Sequence, residues 1–264
     1  MSESERAKRC PPPKANLSTG YRRSAYTFVT MKAARALQTA RTVAVLSGAG
    51  ISADSGVPTF RGAGGLWRNH RPEDLATPAA YARNPTLVWQ WYRERLSAVS
   101  AARPNPAHLA LADLASRTSL TLVTQNVDGL HERAGSRGVL ELHGNITHSR
   151  CERCAHLDKL SPDFSVPPHC LRCGNRARPN VVWFGESLPG AIFEAATDAF
   201  AAAEVALVIG TSGVVEPAAG LARLAKNTGA YLIEVNPEPT PLSAVADSSL
   251  RLSAAEGVPK LLQN

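Results

Sequence analysis

The 264-residue sequence lacks long apolar runs, and none approaches the roughly 20 residues that are needed to cross a bilayer. Its opening residues, MSESERAKRCPPPKAN, have little of the apolar character that a secretory signal requires. We therefore expect a soluble, cytoplasmic protein that has no membrane partner. Hydrophobic residues make up 44% of the chain and charged residues 19%, which excludes collagen, coiled coil and disorder of the whole chain.

Cysteine is also scarce, because five residues are too few for a disulfide scaffold of this length. Four of them form two close pairs, Cys151/Cys154 and Cys170/Cys173, with 15 residues between the pairs. Each C-x-x-C turn presents two thiolates, and two such turns complete a tetrahedral zinc site with no open position. The spacing therefore predicts one structural Zn²⁺. A redox-active C-x-x-C is the alternative, but it would leave one pair unexplained.

Positive charge is concentrated near the beginning of the chain. Residues 1–30 contain six Lys and Arg against two Glu, so they account for four of the seven net positive charges. A basic, Pro-rich segment without apolar periodicity is typical of a disordered tail. We interpret residues 1–31 as such a tail or as a mis-assigned start, with Met31 as the alternative first residue. A targeting or DNA-binding arm is the competing interpretation.

Apolar β-type runs alternate with helical segments from residue 32 onward. The predicted strands are Thr42–Ser47, Leu120–Thr124, Leu140–His143, Val181–Phe184, Val205–Ile209 and Tyr231–Val235. The predicted helices are Lys32–Thr39, Thr86–Ala101, Ala107–Ala115, Glu194–Ala203 and Pro217–Asn227. This alternation predicts a parallel α/β sheet that is covered on both faces. Residues 144 to about 180 interrupt it with paired cysteines and prolines, which indicates an inserted module.

Two glycine turns directly follow buried strands of this pattern. The first is Gly48-Ala49-Gly50 and the second is Gly210-Thr211-Ser212. Turns of this kind approach a pyrophosphate closely in dinucleotide-binding folds. The strand Tyr231–Val235 then ends in Asn236-Pro-Glu238, where such sheets meet ribose hydroxyls or an adenine edge. Together these features predict NAD as the ligand.

A Gly- and Pro-rich stretch, residues 55–67, follows the first turn in place of the helix that usually continues it. A loop of this length and composition favours a mobile cover over a ligand, with an incidental surface loop as the alternative.

Polar side chains follow the strand Leu120–Thr124 at the edge of the sheet where ligands bind. Gln125, Asn126 and Asp128 can hold a carboxamide or a water there, although Asn-x-Asp-Gly is equally good turn chemistry. His143 closes the next strand. It is either a structural histidine or the best general-base candidate beside a sugar hydroxyl.

From about residue 35 onward the sequence resembles the sirtuin family. The resemblance rests on the motifs GAGISADSGVPTFRG, TQNVDGLH, His143-Gly144, GTS and NPE together with the four cysteines. The resemblance implies a Rossmann-like, doubly wound parallel α/β sheet with a second, smaller zinc-ribbon domain. Residues 32–264 would form the catalytic domain. Its NAD domain would cover about 40–143 and 181–264, with the zinc ribbon at about 144–180 and a helical insertion at about 65–105.

The family activity implied is NAD-dependent removal of acyl groups from protein lysines. Nicotinamide leaves, the histidine matching His143 deprotonates a ribose hydroxyl, and the acyl group passes to ADP-ribose. Asn126, Asp128 and Gln125 would hold the region of the nicotinamide ribose, the carboxamide and the catalytic water. The implied cofactor-binding residues are Gly48, Ala49, Gly50, Asp54, Phe60, Arg61, Trp67, Gln125, Asn126, Asp128, Gly210, Thr211, Ser212, Asn236, Glu238 and Ala254.

Two residues, Tyr92 and Arg95, indicate which acyl group is removed. Tyr92 and Arg95 are three positions apart on a predicted helix, so they project from one face. A guanidinium binds a carboxylate through two parallel hydrogen bonds, and a tyrosine hydroxyl adds a third. With the small Ala76, this Tyr-x-x-Arg is similar to the class III sirtuin subgroup that accepts succinyl and malonyl chains. An ordinary surface arginine paired with Glu94 or Glu73 is the alternative.

The family binds its peptide as an extra strand between two segments, which match Val182-Trp-Phe184-Gly185-Glu186 and Gly213–Glu216 here. Glu216 departs from the tyrosine expected at that position, and we predict that its carboxylate favours basic residues beside the substrate lysine. The expected partners are thus NAD and acylated lysines of proteins, and we expect a monomer.

Two other functions remain as alternatives. A mono-ADP-ribosyltransferase would use the same NAD site but would leave Tyr92 and Arg95 without a role. A zinc-ribbon nucleic-acid-binding module would require aromatic residues among the basic residues of the ribbon, and Phe164 alone is present there.

Overall fold

The structure, a computed structural model, describes residues 29–58 and 70–262. Its strands are β1 (Thr42–Ser47), β2 (Ser119–Thr124), β3 (Leu140–Glu141), β4 (Gly144–Cys151), β5 (Leu157–Lys159), β6 (Ala177–Val181), β7 (Val205–Ile209), β8 (Tyr231–Val235) and β9 (Ser248–Leu250). Its helices are α1 (residues 29–39), α2 (Pro72–Leu75), α3 (Pro78–Arg83), α4 (Pro85–Ala101), α5 (Pro106–Leu114), α6 (Leu130–Arg133), α7 (Gly190–Ala201), α8 (Ala218–Asn227) and α9 (Ala254–Leu262). Two 3₁₀ segments cover Ala49–Ser55 and Pro241–Ala244.

Six of the strands form one sheet in the order β3-β2-β1-β7-β8-β9, and all of its pairings are parallel. The chain runs outward from β1 to β2 and β3, and then returns to place β7 on the other side of β1. The direction of winding therefore reverses between β1 and β7. In doubly wound sheets, ligands bind outside the carboxyl ends of the strands at this switch point.

Alternate residues of β1 bury their side chains on opposite faces of this sheet. Val43 and Val45 pack with α1, α5 and α9, whereas Ala44 and Leu46 pack with α7 and α8. The sheet is thus covered by helices on both faces. The predicted fold class, a Rossmann-like doubly wound sheet with a smaller cysteine-bearing module, is confirmed.

The remaining strands form a three-stranded antiparallel sheet in the order β5-β4-β6. Helices α2–α4 pack near this sheet in a third apolar cluster, in which Trp89, Tyr92 and Trp183 are buried with Ile146 and Val181. This cluster and the larger sheet form two facing walls.

Helix α4, which carries several of these aromatic residues, has clear sequence signals at its start. The Asn84 side chain accepts a hydrogen bond from the Leu87 N–H at 3.0 Å, and Pro85 occupies the first helical position.

Two predicted strands differ from the structure, and one strand of the structure was not predicted. Residues 182–184 are not part of a strand, because the Val182 and Phe184 N–H groups donate to the carbonyls of His143 and Ala76 instead of to a neighbouring strand. The predicted strand Leu140–His143 ends at Glu141, where its pairing with β2 stops. The inserted segment also contains the eight-residue strand β4, which the sequence did not indicate.

No sequence pattern predicts β9 or α9 either. Among residues 29–58 and 70–262, the helices are all too short or too polar to cross a bilayer. The assignments made for residues 1–28 and for the cover loop lie outside the described residues, apart from residues 55–58. Residues 29–31, which the predicted tail also included, belong to α1.

Candidate functional site

The two glycine turns interlock at the switch point of the large sheet. The Gly50 N–H donates to the Gly210 carbonyl at 2.8 Å, and the Gly48 N–H donates to the carbonyl of Ile209 at 2.9 Å. A Cβ on Gly50 would lie 2.7 Å from the Gly210 Cα, and one on Gly210 would lie 2.4 Å from the Ile51 nitrogen. Gly210 also has a φ of +59°. This close approach of two backbones therefore requires glycine at both positions.

Both turns open into a cleft of about 1160 Å³ between the large sheet and the α4 wall. The cleft brings together most of the predicted cofactor-binding residues. Among its lining residues are Gly48, Ala49, Gly50, Asp54, Gln125, Asn126, Gly210, Thr211, Ser212, Asn236 and Glu238. Phe60, Arg61 and Trp67 lie outside the described residues. The volume exceeds the range of typical small-ligand pockets, which suits a dinucleotide together with a second substrate.

Two predicted cofactor-binding residues lie behind this lining. Ala254 is the first residue of α9 and is 2% exposed within the apolar core, while its neighbour Ser253 lines the cleft. The buried Asp128 carboxylate accepts hydrogen bonds from the Ser52 hydroxyl at 2.8 Å and from the Leu130 N–H at 2.9 Å. Asp128 thus supports the loop below the cleft.

Ser52 connects the first glycine turn to the polar ends of the neighbouring strand. The Asn126 side-chain amide donates to the Gly48 carbonyl at 3.1 Å and to the Ser52 hydroxyl at 3.3 Å. The Gln125 amide donates to the Thr211 hydroxyl at 3.0 Å, which joins the same loop to the second turn. Ser52 is not predictable from the sequence, because a serine in a Gly-rich turn gives no signal of its burial.

His143 lies at the junction of the two walls and lines the cleft. Its Nδ1 is 2.8 Å from the carbonyl oxygen of Gln125, and a carbonyl can only accept a hydrogen bond. Nδ1 therefore carries the proton, which leaves Nε2 with a lone pair. Burial lowers the pKa of His143 below its usual value, although the Gln125 carbonyl opposes this, so the imidazole is neutral at pH 7.

Two further buried histidines, His108 and His131, lie beneath the site and were not predicted. Their rings are 4.9 Å apart, His131 Nε2 is 2.8 Å from the Ser47 hydroxyl, and His108 Nδ1 accepts from the Asn105 N–H at 3.3 Å. Burial lowers the pKa of His108 to about 4 and that of His131 to about 3. Both are therefore neutral structural groups. Asn105 and His108 form a capping box of α5, and that spacing is the one signal in the sequence.

Tyr92, Arg95 and Ala76 line the opposite wall of the cleft. The Tyr92 hydroxyl accepts a hydrogen bond from the Trp183 indole N–H at 2.9 Å, and burial raises the pKa of Tyr92 to about 12. The Arg95 guanidinium lies 5.1 Å from the centre of the Trp91 ring, and burial lowers the pKa of Arg95. The helix α4 therefore presents a neutral hydroxyl and a cation to the same cavity.

The segment Val182–Glu186 lines the cleft beside His143, and Val182, Phe184, Gly185 and Glu186 all contribute to it. The Glu186 carboxylate accepts two hydrogen bonds from Arg178, at 2.6 and 2.8 Å, and one from the Trp183 N–H at 2.8 Å. The charge of the Glu186 carboxylate is thus balanced by Arg178 within the wall. Phe184 is 51% exposed and offers an apolar surface at the mouth of the cleft.

Glu216 also lines the cleft, but its carboxylate forms an ion pair with Arg223 and accepts the Gly220 N–H at 3.1 Å. The pairing with Arg223 offsets the negative charge on which the predicted preference for basic substrate residues depends. That preference stays a prediction.

The four cysteines converge in the small sheet. Their sulfurs lie within 4.8 Å of one another, with Cys151–Cys173 and Cys154–Cys173 at 3.5 Å and Cys154–Cys170 at 3.8 Å. Four sulfurs that each lie about 2.3 Å from a central Zn²⁺ would be roughly 3.8 Å apart, so the cluster fits a tetrahedral zinc ion. The Cys154 and Arg153 N–H groups donate to the Cys151 sulfur, which lowers the pKa of that thiol to about 6. All four ligands come from the chain, which is typical of a structural zinc.

The sequence and the fold have clear relatives. "NAD-dependent protein deacylase" from Thermus thermophilus is 57% identical over 236 residues, which cover 88% of this chain and 93% of that protein. "NAD-dependent protein deacylase 2" from Pyrobaculum aerophilum is 50% identical over 237 residues, covering 88% and 94%. A solved complex of a Sir2 homologue with NAD is 45% identical with a TM-score of 0.84, covering 88% of this chain and 92% of that one. Residues 48–217 match the Sir2 family model. The chain belongs to the Sir2 family.

Proposed function

We propose that this protein is an NAD-dependent protein-lysine deacylase that removes acetyl groups and acidic acyl groups such as succinyl and malonyl. The relatives named above are NAD-dependent protein deacylases, and one structural neighbour was solved with NAD. Another neighbour, 46% identical with a TM-score of 0.84, was solved with 2'-O-acetyl ADP-ribose. These names support transfer of the acyl group to ADP-ribose.

One observation carries the proposal: a neutral histidine lies between a dinucleotide-type wall and a wall that presents Tyr92 and Arg95. His143 has its Nδ1 proton held by the Gln125 carbonyl, so its Nε2 can accept a proton from a ribose hydroxyl. Since burial lowers its pKa, the imidazole is neutral at pH 7 and can act as a base. We expect activity to fall as pH drops through that lowered pKa.

The residues of the cofactor wall fit NAD. The interlocked turns at Gly48–Gly50 and Gly210 present backbone and the small Ala49 side chain to the cleft, while Asn236 and Glu238 offer polar groups at the next strand end. When bound, NAD would supply the ADP-ribose acceptor and nicotinamide as the leaving group. Asn126 is held by Gly48 and Ser52, which orients it toward this end of the cleft.

The opposite wall supports acidic acyl groups. Tyr92 and Arg95 line the same cavity as His143, and together they offer a hydroxyl donor and a guanidinium to a carboxylate. Burial strengthens such an interaction, because few waters screen it. A mono-ADP-ribosyltransferase would have no use for this pair, so the deacylase is the better supported function.

The test is mass spectrometry of matched acetyl-lysine and succinyl-lysine peptides incubated with the protein and NAD. We expect loss of both acyl groups with formation of O-acyl-ADP-ribose. His143→Ala should abolish both reactions. Arg95→Met should reduce removal of succinyl groups by roughly 100-fold and that of acetyl groups far less, because a charged hydrogen-bonded pair contributes about 2–3 kcal/mol. The exposed Arg93 on the same helix gives the matched control, Arg93→Met.

Each contrary result removes a defined part of the proposal. Removal of acetyl groups that exceeds removal of succinyl groups and is insensitive to Arg95→Met would leave an NAD-dependent deacetylase. No NAD-dependent mass change in either peptide would reject the deacylase and favour the ADP-ribosyltransferase.

A further inference from the structure

Trp183 lies in the α4 wall and lines the cleft with Tyr92. It is 3% exposed, and the Arg178 guanidinium lies 3.6 Å from the centre of its ring. Arg178 is itself held by two hydrogen bonds to Glu186, and the Glu186 carboxylate also accepts the Trp183 backbone N–H. The Tyr81 ring packs at 5.1 Å. Contacts on several sides therefore fix the direction of the indole N–H.

That N–H points at the hydroxyl oxygen of Tyr92, at a distance of 2.9 Å. An indole nitrogen can donate but cannot accept, so the Tyr92 oxygen must be the acceptor in this bond. The hydroxyl hydrogen of Tyr92 consequently has to point away from Trp183. Since Tyr92 lines the cleft beside Arg95, the hydrogen is directed to the region where a ligand would lie.

A hydroxyl without this constraint can rotate and can present either its hydrogen or its lone pair to a ligand. A carboxylate only accepts hydrogen bonds, so it is favoured when the hydroxyl is fixed as a donor. An uncharged acetyl group, whose methyl end offers no acceptor at that depth, gains nothing from the constraint. The bond from Trp183 therefore affects acidic acyl groups selectively.

We propose that Trp183 is a positioning residue that makes the enzyme select acidic acyl groups, by fixing the Tyr92 hydroxyl as a hydrogen-bond donor next to Arg95. This inference rests on the proposed deacylase function and deepens it. It adds a specificity determinant outside the Tyr-x-x-Arg pair, on a segment 91 residues away in the sequence.

A double-mutant cycle tests the inference. The quantity measured is the ratio of kcat/KM for succinyl-lysine over acetyl-lysine peptides, in the wild type, Trp183→Phe, Tyr92→Phe and the double variant. We expect Trp183→Phe to lower the ratio roughly tenfold, which corresponds to about 1.4 kcal/mol. In the Tyr92→Phe background the same change should lower the ratio by less than about twofold, because the hydroxyl that Trp183 orients is already gone.

Trp89→Phe is the matched control. Trp89 lies in the same aromatic cluster and its indole N–H donates to the Ala177 carbonyl at 3.0 Å, but the Tyr81 hydroxyl also donates to that carbonyl at 2.7 Å. The Trp89 and Tyr92 rings are 6.4 Å apart in an edge-on contact, so the substitution perturbs the packing around Tyr92 but leaves the hydrogen bond to its hydroxyl in place. The control should leave the ratio within about twofold of the wild type, even where the protein is less stable.

Three results would overturn the inference. These are an equal loss of kcat/KM on both peptides in Trp183→Phe, an equal change of the ratio with and without the Tyr92 hydroxyl, and a wild type that neither removes succinyl groups nor binds the succinyl peptide more tightly than the acetyl peptide. Calorimetric binding of the two peptides without NAD measures the ratio of their affinities, which reports the same selectivity independently of turnover. A protein that binds succinyl peptide selectively through Trp183 but removes no acyl group would contradict the proposed function and leave the inference intact.

Discussion

The two sheets bury different kinds of side chain. All five residues of β7 are apolar and at most 2% exposed. In β5 of the small sheet, Leu157 and Lys159 are exposed and the buried residue between them is Asp158, whose carboxylate accepts the Leu171 N–H at 3.1 Å. The large sheet is therefore stabilised mainly by the hydrophobic effect, whereas the small sheet depends on hydrogen bonds and on the four cysteines.

The largest effect that we expect from this difference follows Cys151→Ser. Losing one of four thiolates should release the metal and unfold the small sheet, because structural zinc contributes on the order of 10 kcal/mol to such modules. The large sheet should keep its secondary structure. Metal content by mass spectrometry, together with far-ultraviolet circular dichroism, measures both results.

Leu171→Ser provides the matched control on the same C-x-x-C turn. Leu171 is 85% exposed, so its replacement should change the free energy of unfolding by no more than about 0.5 kcal/mol. A wild type without bound zinc, or a Cys151→Ser variant that retains it, would contradict the proposed basis of the small sheet's stability.

A substitution in the core of the large region should show the opposite pattern. Phe200 on α7 is fully buried against the sheet, so Phe200→Ala should lower the free energy of unfolding by about 3–5 kcal/mol. The folded variant should still hold one zinc per chain. Urea unfolding and metal analysis test this, and release of zinc from the folded variant would show that the two regions are not independent.

Acid should lower the free energy of unfolding of the large region by a smaller amount, because His108 and His131 bind protons in the unfolded chain. The native state keeps both imidazoles neutral, with pKa values of about 4 and about 3, whereas the unfolded chain binds protons below about pH 6.5. The free energy of unfolding should therefore fall as pH decreases, by on the order of 2–3 kcal/mol between about pH 7 and about pH 5.5.

Urea unfolding at the two pH values measures this loss, with zinc content followed in parallel because acid also protonates thiolates. His131→Gln should reduce the pH dependence. An unchanged pH dependence in that variant would show that other groups are responsible.

The sequence predicts the strands of the large sheet better than those of the small sheet. The buried apolar residues that stabilise the large sheet also form a pattern that is visible in the sequence. Thr42–Ser47, Val205–Ile209 and Tyr231–Val235 are predicted to the residue, because a buried parallel strand has a nearly continuous apolar run. Polar and apolar residues follow no regular period in strand β4, so the sequence does not predict it. Cysteine spacing is the one strong signal in that segment.

Helix α9 was missed because its local signals oppose a helix. It contains Gly257 and Pro259, both of which disfavour helix interiors. A Cβ on Gly257 would lie 2.6 Å from the Val235 side chain, so glycine lets the helix pack closely on β8. Tertiary packing outweighs propensity here, and packing over such separations is not visible in a single sequence.

The candidate site shows the same limit. The sequence identified the residues that line the cleft at strand ends, since those positions follow from topology. It did not identify Ser52 or His108, or the hydrogen bond from Trp183 to Tyr92, because these side chains contact partners 56 to 91 residues away along the chain. Residues that support a site from behind depend on the folded geometry.

The interlocked glycine turns also constrain when the site can form during synthesis. Gly50 and Gly210 are separated by 160 residues, and the hydrogen bond between them lies just beyond the end of the pairing of β1 with β7. A ribosome that adds 5–20 residues per second needs roughly 10–30 s to cover that distance. Throughout that interval the edge of β1 that later receives β7 is unpaired, so the nascent chain exposes an apolar strand edge until four-fifths of its length has been made.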